Sequence, residues 1–304
     1  MIQTMQIDEP TAWGLLQAIP PTFVTAQRVH HHRKPAAWLQ VYPEGQWKTS
    51  LPPTEQARTL IELFLPLRIA SDFVVAQLGQ SLDGRIATVN GHSHYITGSA
   101  DIVRLHRLRA VVDAVIVGAG TIVKDNPRLT VRAAPGKNPT RVVIDPNRRL
   151  ENSKHIFTDD AAPTILIRRS GQQANASSPD GTVANGLTEI ELPQDAHGCI
   201  NPAHILSELR KLGFRRFLIE GGGVTVSRFL EAKTIDRLHI TVAPLLIGSG
   251  RPALTLDPIA NLDNAIRPKY RLFRLDDDVL FDLELRSLHS FGTTNHETSK
   301  SQKR

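Results

Sequence analysis

The sequence predicts an α/β fold with a mainly parallel central sheet, and three observations predict it. Short apolar, β-branched runs recur from Asp72 onward, each bounded by Gly, Pro, Asp or Asn. Their apolar character is continuous, which suits strands covered on both faces. Between them lie stretches whose apolar residues recur at helical spacing.

The strand runs are Phe73 to Gln77, Ala114 to Gly118, Arg141 to Asp145, Thr164 to Ile167, Phe217 to Glu220 and Leu238 to Ala243. A helix is expected after Ser99, whose hydroxyl is the candidate N-cap, because Ile102, Leu105, Leu108 and Val112 share a face. A second carries Ile205, Leu206, Leu209 and Leu212 and stops at Gly213, and a third runs from Val224 to Glu231. Lys269 to Leu275 and Val279 to Leu285, joined by Asp276-Asp277-Asp278, read as an antiparallel hairpin at an edge of the sheet. Residues 1–70 hold all three tryptophans and one helical candidate, Thr54 to Leu65, which Pro66 is expected to end. The resulting division is an accessory segment, 1–70, a main domain, 71–286, and a polar, disordered tail, 287–304.

Composition removes several function classes. Of 304 residues, 36 are Lys or Arg and 30 Asp or Glu, a net +6 spread along the chain with no basic stripe, so a nucleic-acid partner is not expected. No run approaches the ~20 apolar residues of a bilayer span, and Met1 to Pro10 has neither a basic nor an apolar leader region, so a cytoplasmic protein with no membrane partner is expected. Cys199 is the only cysteine, which rules out an intrachain disulfide and a zinc site built on Pro-Cys-x-x-Cys.

Chemistry concentrates at strand ends. Glu220-Gly221-Gly222-Gly223-Val224-Thr225 sets three glycines between a buried strand and a helix, where amides approach an anion and the helix dipole favours it. A dinucleotide diphosphate is the natural guest, and an ordinary strand-to-helix turn is the other reading. Gly118-Ala119-Gly120-Thr121 repeats the arrangement without a third glycine. Glu220, a carboxylate at a buried strand end, needs a partner, either a ligand or neighbouring amides. Asp125 to Arg132 is a polar loop with Arg128 and Arg132 four residues apart, suited to a phosphate or to solvent. His30-His31-His32 and His92-Ser93-His94 lack an evident third metal ligand and the hydrogen-bonding partners that would orient such ligands, and both read as loops, with no metal site expected.

Six collinear motifs resemble the pyrimidine reductases of riboflavin biosynthesis over residues 72 to 286: Ser81-Leu82-Asp83-Gly84-Arg85-Ile86-Ala87, Gly91 to Thr97, Val117 to Thr121, Asp125 to Thr130, Val143-Ile144-Asp145 and Ile219-Glu220-Gly221-Gly222. The resemblance is to the reductase portion of the bifunctional deaminase-reductase, without the deaminase. It implies a dihydrofolate-reductase-like three-layer α/β/α fold, a homodimer, NADPH as cofactor, and reduction of C1′ of a phosphoribosylamino-pyrimidine.

Residue by residue, the resemblance assigns cofactor contacts to Gly79, Asp83, Gly118, Gly120, Thr121, Asp145, Arg149, Gly221, Gly222, Gly223, Val224 and Thr225. It gives Arg149 the adenosine 2′-phosphate, with Arg148 adding positive charge. Substrate contacts fall to Ser93, Thr97, Arg109, Leu129 and Arg132, and catalytic positions to Asp125, Glu220 and Gln77. Three positions depart from the family pattern: Gln77 stands where a lysine is usual, His92 where an acid is usual, and Tyr95 where a tryptophan is usual. An amide orients by hydrogen bonds and delivers no proton, so the proton must come from elsewhere. A reductase of another pterin-like heterocycle and a non-catalytic ligand-binding relative are the rival readings.

Overall fold

Each apolar run forms a strand in the computed structural model, which describes residues 5–94, 96–171, 186–195 and 198–286. Tyr95 and the tail expected at 287–304 lie outside them. In chain order the described residues form α1 (Glu9–Ala18), β1 (Gln27–His31), β2 (Lys34–Val41), β3 (Trp47–Thr49), α2 (Glu55–Ile69), β4 (Phe73–Ser81) and β5 (Arg85–Ala87). Then come α3 (Ser99–Val111), β6 (Ala114–Gly118), α4 (Ala119–Asp125), β7 (Thr140–Ile144), α5 (His155–Thr158), β8 (Thr164–Arg169) and β9 (Leu187–Leu192). The chain continues through α6 (Pro202–Lys211), β10 (Arg216–Ile219), α7 (Gly223–Glu231), β11 (Arg237–Ala243), β12 (Arg251–Pro252), β13 (Lys269–Leu275) and β14 (Asp278–Glu284).

The main sheet has the order β13-β14-β11-β4-β10-β6-β7-β8-β9. From β11 to β9 every neighbouring pair is parallel, and the β13-β14 hairpin joins antiparallel at the β11 edge, as the sequence predicts. Alternate residues of the central strands feed opposite cores. Val74, Ala76, Ile116 and Phe217 pack with Ile205 and Leu209 of α6 and Val226 and Phe229 of α7. Phe73, Val75, Val115 and Leu218 pack on the other face with Leu108 of α3 and Leu16, Ile61 and Phe64 of α1 and α2. Residues 5–70 therefore complete the second helical layer, joined by α1, which the sequence reading did not anticipate, and by a small β1-β2-β3 sheet.

Three local expectations are corrected. Pro66 does not end α2, which continues to Ile69. Its missing N–H would have met the carbonyl of Glu62 four residues earlier, and that oxygen instead accepts from Arg271 Nη1 at 2.9 Å, so the defect is satisfied from β13. Ser99 is the first residue of α3 and not its cap. Gly98 is the cap residue and has no capping side chain of its own, but its N–H donates to Asp278 Oδ2 at 2.7 Å. His30 and His31 belong to β1 and not to a loop, whereas His92 and His94 do lie in a loop.

Candidate functional site

The parallel strands β10 and β6 are neighbours, and both end at glycine turns that open on the same side. Their carboxyl ends, with those of β4 and β7, border a cavity of about 890 Å³. This is where an open parallel sheet presents ligands. The turns interlock: Gly222 N–H donates to Thr121 Oγ1 at 3.1 Å. Gly221 has φ +113, and a Cβ there would stand 2.6 Å from the same Thr121 oxygen, so only glycine fits. At Gly223 a Cβ would meet the Ala253 carbonyl at 2.2 Å. α7 begins at this point with no side-chain cap, so its first amides are left to solvent or a ligand.

The cavity wall gathers Gln77, Gly79, Ser93, Gly118, Gly120, Thr121, Asp125, Arg149 and the run Glu220 to Thr225. Six assigned residues do not line it. Arg109 is 7% exposed and forks onto Glu220, Nε to Oε1 at 2.8 Å and Nη2 to Oε2 at 2.6 Å, while Nη1 donates to the Thr130 carbonyl. Burial opposes the Arg109 charge, yet the Glu220 carboxylate holds its pKa above the usual value. The expected grip of Arg109 on a substrate phosphate is therefore replaced by an internal ion pair, which also answers why Glu220 tolerates its strand end. Leu129, 1% exposed, is a core residue. Arg132 donates to Thr130 Oγ1 at 2.7 Å outside the cavity wall, and Thr97 reaches the site only through Gly79, against which its methyl packs.

Asp83 and Asp145 are structural. Asp83 accepts from the Ser81 hydroxyl and from the amides of Ile247 and Gly248, which hold its pKa down at about 2. Asp145, fully buried, pairs with Arg168 and accepts from the amides of Arg149 and Leu150, so it shapes the loop that carries Arg149. Arg148 and Arg149 diverge. Arg148 pairs with Glu189 at 3.1 Å and Glu191 at 3.7 Å, while the Arg149 side chain lines the cavity with no ion pair among the described residues. His106 accepts the Arg132 N–H at Nδ1, and burial together with the charges of Arg109 and Arg132 pushes its pKa down to about 4.

Lys124, Cys199, Arg228 and Arg251 also line the cavity and escaped the sequence reading. Lys124 and Arg228 had a usable signal, standing four residues after Gly120 and Val224 on the same helix faces. Cys199 comes from a loop and Arg251 from the short strand β12, both distant in sequence from the glycine turns, and neither had one. Among the described residues no group of three or more His, Cys, Asp or Glu is placed to hold a metal, and no helix is long and apolar enough to cross a membrane.

The family model described as RibD C-terminal domain matches residues 72–277. A 2,5-diamino-6-ribosylamino-4(3H)-pyrimidinone 5′-phosphate reductase of Methanothermobacter thermautotrophicus is 33% identical over 217 residues, 69% of this chain and 96% of that protein. The riboflavin biosynthesis protein RibD of Aquifex aeolicus is 32% identical over 199 residues, 64% of this chain, of whose own length the match spans about half, 53%. Among solved structures, RibD of Acinetobacter baumannii superposes with a TM-score of 0.59 at 26% identity, covering 76% of this chain and 63% of that one.

Proposed function

The chain belongs to the RibD C-terminal domain family, and on that premise we propose that it is an NADPH-dependent reductase of a phosphoribosylamino-pyrimidine in riboflavin biosynthesis. The observation that carries this reading is the interlocked glycine cradle at the start of α7, which opens into the same cavity as Arg149. The uncapped α7 amides suit a diphosphate, and Arg149 suits the 2′-phosphate that separates NADPH from NADH.

NADPH, when bound, supplies the hydride. This chain's residues do the rest. Hydride addition at C1′ breaks the C1′–O4′ bond of the ribose ring, and O4′ then takes a proton. Asp125, exposed on the cavity wall, is the carboxyl group assigned to relay it, because both oxygens of Glu220 are held by Arg109. The substrate phosphate is assigned to Ser93 and Arg251, which line the cavity, in place of Arg109, whose guanidinium is held by Glu220. The reading includes a cytoplasmic location and a homodimer. The outer face of β11, β14 and β13 supports the dimer, because Tyr270 and Leu272 are exposed beside the half-buried Ile240 and Phe281.

Titration with NADPH should raise the melting temperature, and turnover should follow oxidation of NADPH in the presence of the pyrimidine substrate. Arg149→Ala should cost roughly tenfold or more in NADPH affinity and leave NADH nearly untouched. Arg148→Ala should change little, since its guanidinium is spent on Glu189 and Glu191. Arg251→Ala should raise the substrate KM and spare the cofactor. A protein whose melting is indifferent to both dinucleotides would end the reductase reading.

A further inference from the structure

Gln77 differs from the other groups on the cavity wall in that buried protein dictates which way its amide points. It sits on β4 opposite His239 of β11, 8% exposed. Arg104, 2% exposed, reaches it from α3. Its Nε donates to Asp101 Oδ1 at 2.7 Å, Nη1 lies 3.1 Å from His239 Nδ1, and Nη2 donates to Gln77 Oε1 and, at 3.4 Å, to Thr241 Oγ1. The Thr241 hydroxyl in turn donates to Asp101 Oδ1 at 2.8 Å.

A guanidinium carries five donors and no acceptor. Gln77 must therefore turn its oxygen to Arg104, since a flipped amide would set donor against donor in a buried site. The Nε2 group is left with no hydrogen bond to a described residue, on a side chain that lines the cavity. Such a group offers a ligand N–H donors only.

We infer that Gln77 reads a ring carbonyl of the substrate heterocycle through its Nε2 donors, with Arg104 as the positioning residue that fixes the amide. The inference rests on the reductase reading and deepens it. The compounds named for two relatives make the question concrete. The pyrimidinone of the Methanothermobacter reductase carries a 4-oxo and a 2-amino group. The 5-amino-6-(5-phosphoribosylamino)uracil named for the Thermotoga maritima enzyme carries oxo groups at both positions. A fixed donor matches oxo and finds no acceptor in a 2-amino group.

The test is steady-state kinetics with NADPH and each of these two compounds, alongside NADPH binding followed by fluorescence. Gln77→Glu keeps an acceptor for Arg104, so the buried cluster stays partnered, while the atom facing the cavity becomes an acceptor. The expected result is a rise of roughly tenfold to a hundredfold in substrate KM, with NADPH affinity within about twofold of wild type. A rise with both compounds identifies the 4-oxo group as the one read, and a rise with the uracil alone identifies the 2-oxo group. Arg104→Lys, which cannot serve all its acceptors at once, should raise the same KM by a smaller factor while keeping a cooperative melt. Unchanged substrate KM in Gln77→Glu, or a loss confined to NADPH affinity, overturns the inference, and wild-type KM in a folded Arg104→Lys removes the positioning role. Wild-type protein that oxidises NADPH with neither compound takes down the reductase reading itself, whereas wild-type turnover with an indifferent Gln77→Glu takes down only the role of Gln77.

Discussion

Arg109 and Arg149 have the same functional group and lie near the same cavity, yet only one is free to bind. Arg109 is spent on Glu220, and removing either partner would strand a buried charge at a cost of about 3–5 kcal/mol. The sequence flagged both residues of that pair and could not see that they meet, because 111 positions separate them. His106 lies beside them and makes the local charge measurable. Its folded pKa of about 4 lies below its ordinary 6.5, so the unfolded chain binds the proton first as pH falls. Stability owed to neutral His106 is complete above about pH 6.5 and is lost at up to about 1.4 kcal/mol per pH unit down to about pH 4. Melting temperature should fall over that window, and His106→Gln should flatten the fall. An unchanged slope in the variant would assign the acid sensitivity to other groups.

Elements were legible where their signals are local. Six parallel strands are the apolar runs of the sequence, whereas the edge strand β9, Leu187–Leu192, alternates with polar residues and gave no such run. α6 stops at its glycine, and the acidic turn marks the hairpin. Two helix boundaries were misread because distant side chains repair them, Arg271 at the Glu62 carbonyl left by Pro66 and Asp278 at the N-terminus of α3. Local pattern carries no trace of a partner 180 residues away. Asp278 is thus a helix cap supplied by a strand. Asp278→Ala should cost about 1 kcal/mol, within the 0.5–2 range of lost caps, read as a lower midpoint in urea with an unchanged slope. A variant as stable as wild type would mean that the α3 amide is satisfied by water.

Over the whole molecule, residues 5–70 and the main domain are one packed body. Trp13 Nε1 and Gln17 Nε2 both donate to the Pro135 carbonyl, Arg68 donates to carbonyls at the end of α1, and the apolar side chains of α1 and α2 merge with the sheet core. The exposed apolar face is on the opposite side of the sheet, at the hairpin edge. If that face joins two copies, Leu272→Asp should turn a dimer into a monomer in sedimentation, and a monomeric wild type would dismiss the dimer.

The sequence by itself determined the α/β class, the order of the parallel strands' apolar runs, the glycine turns and the family, because each is written in neighbouring residues and in periods of two or 3.6. Only the tertiary structure decided which cations remain available at the cavity, which carboxylate is already paired and which way Gln77 points. Those outcomes depend on which buried donors find acceptors across the fold, and that pairing exists only once distant strands and helices are brought together.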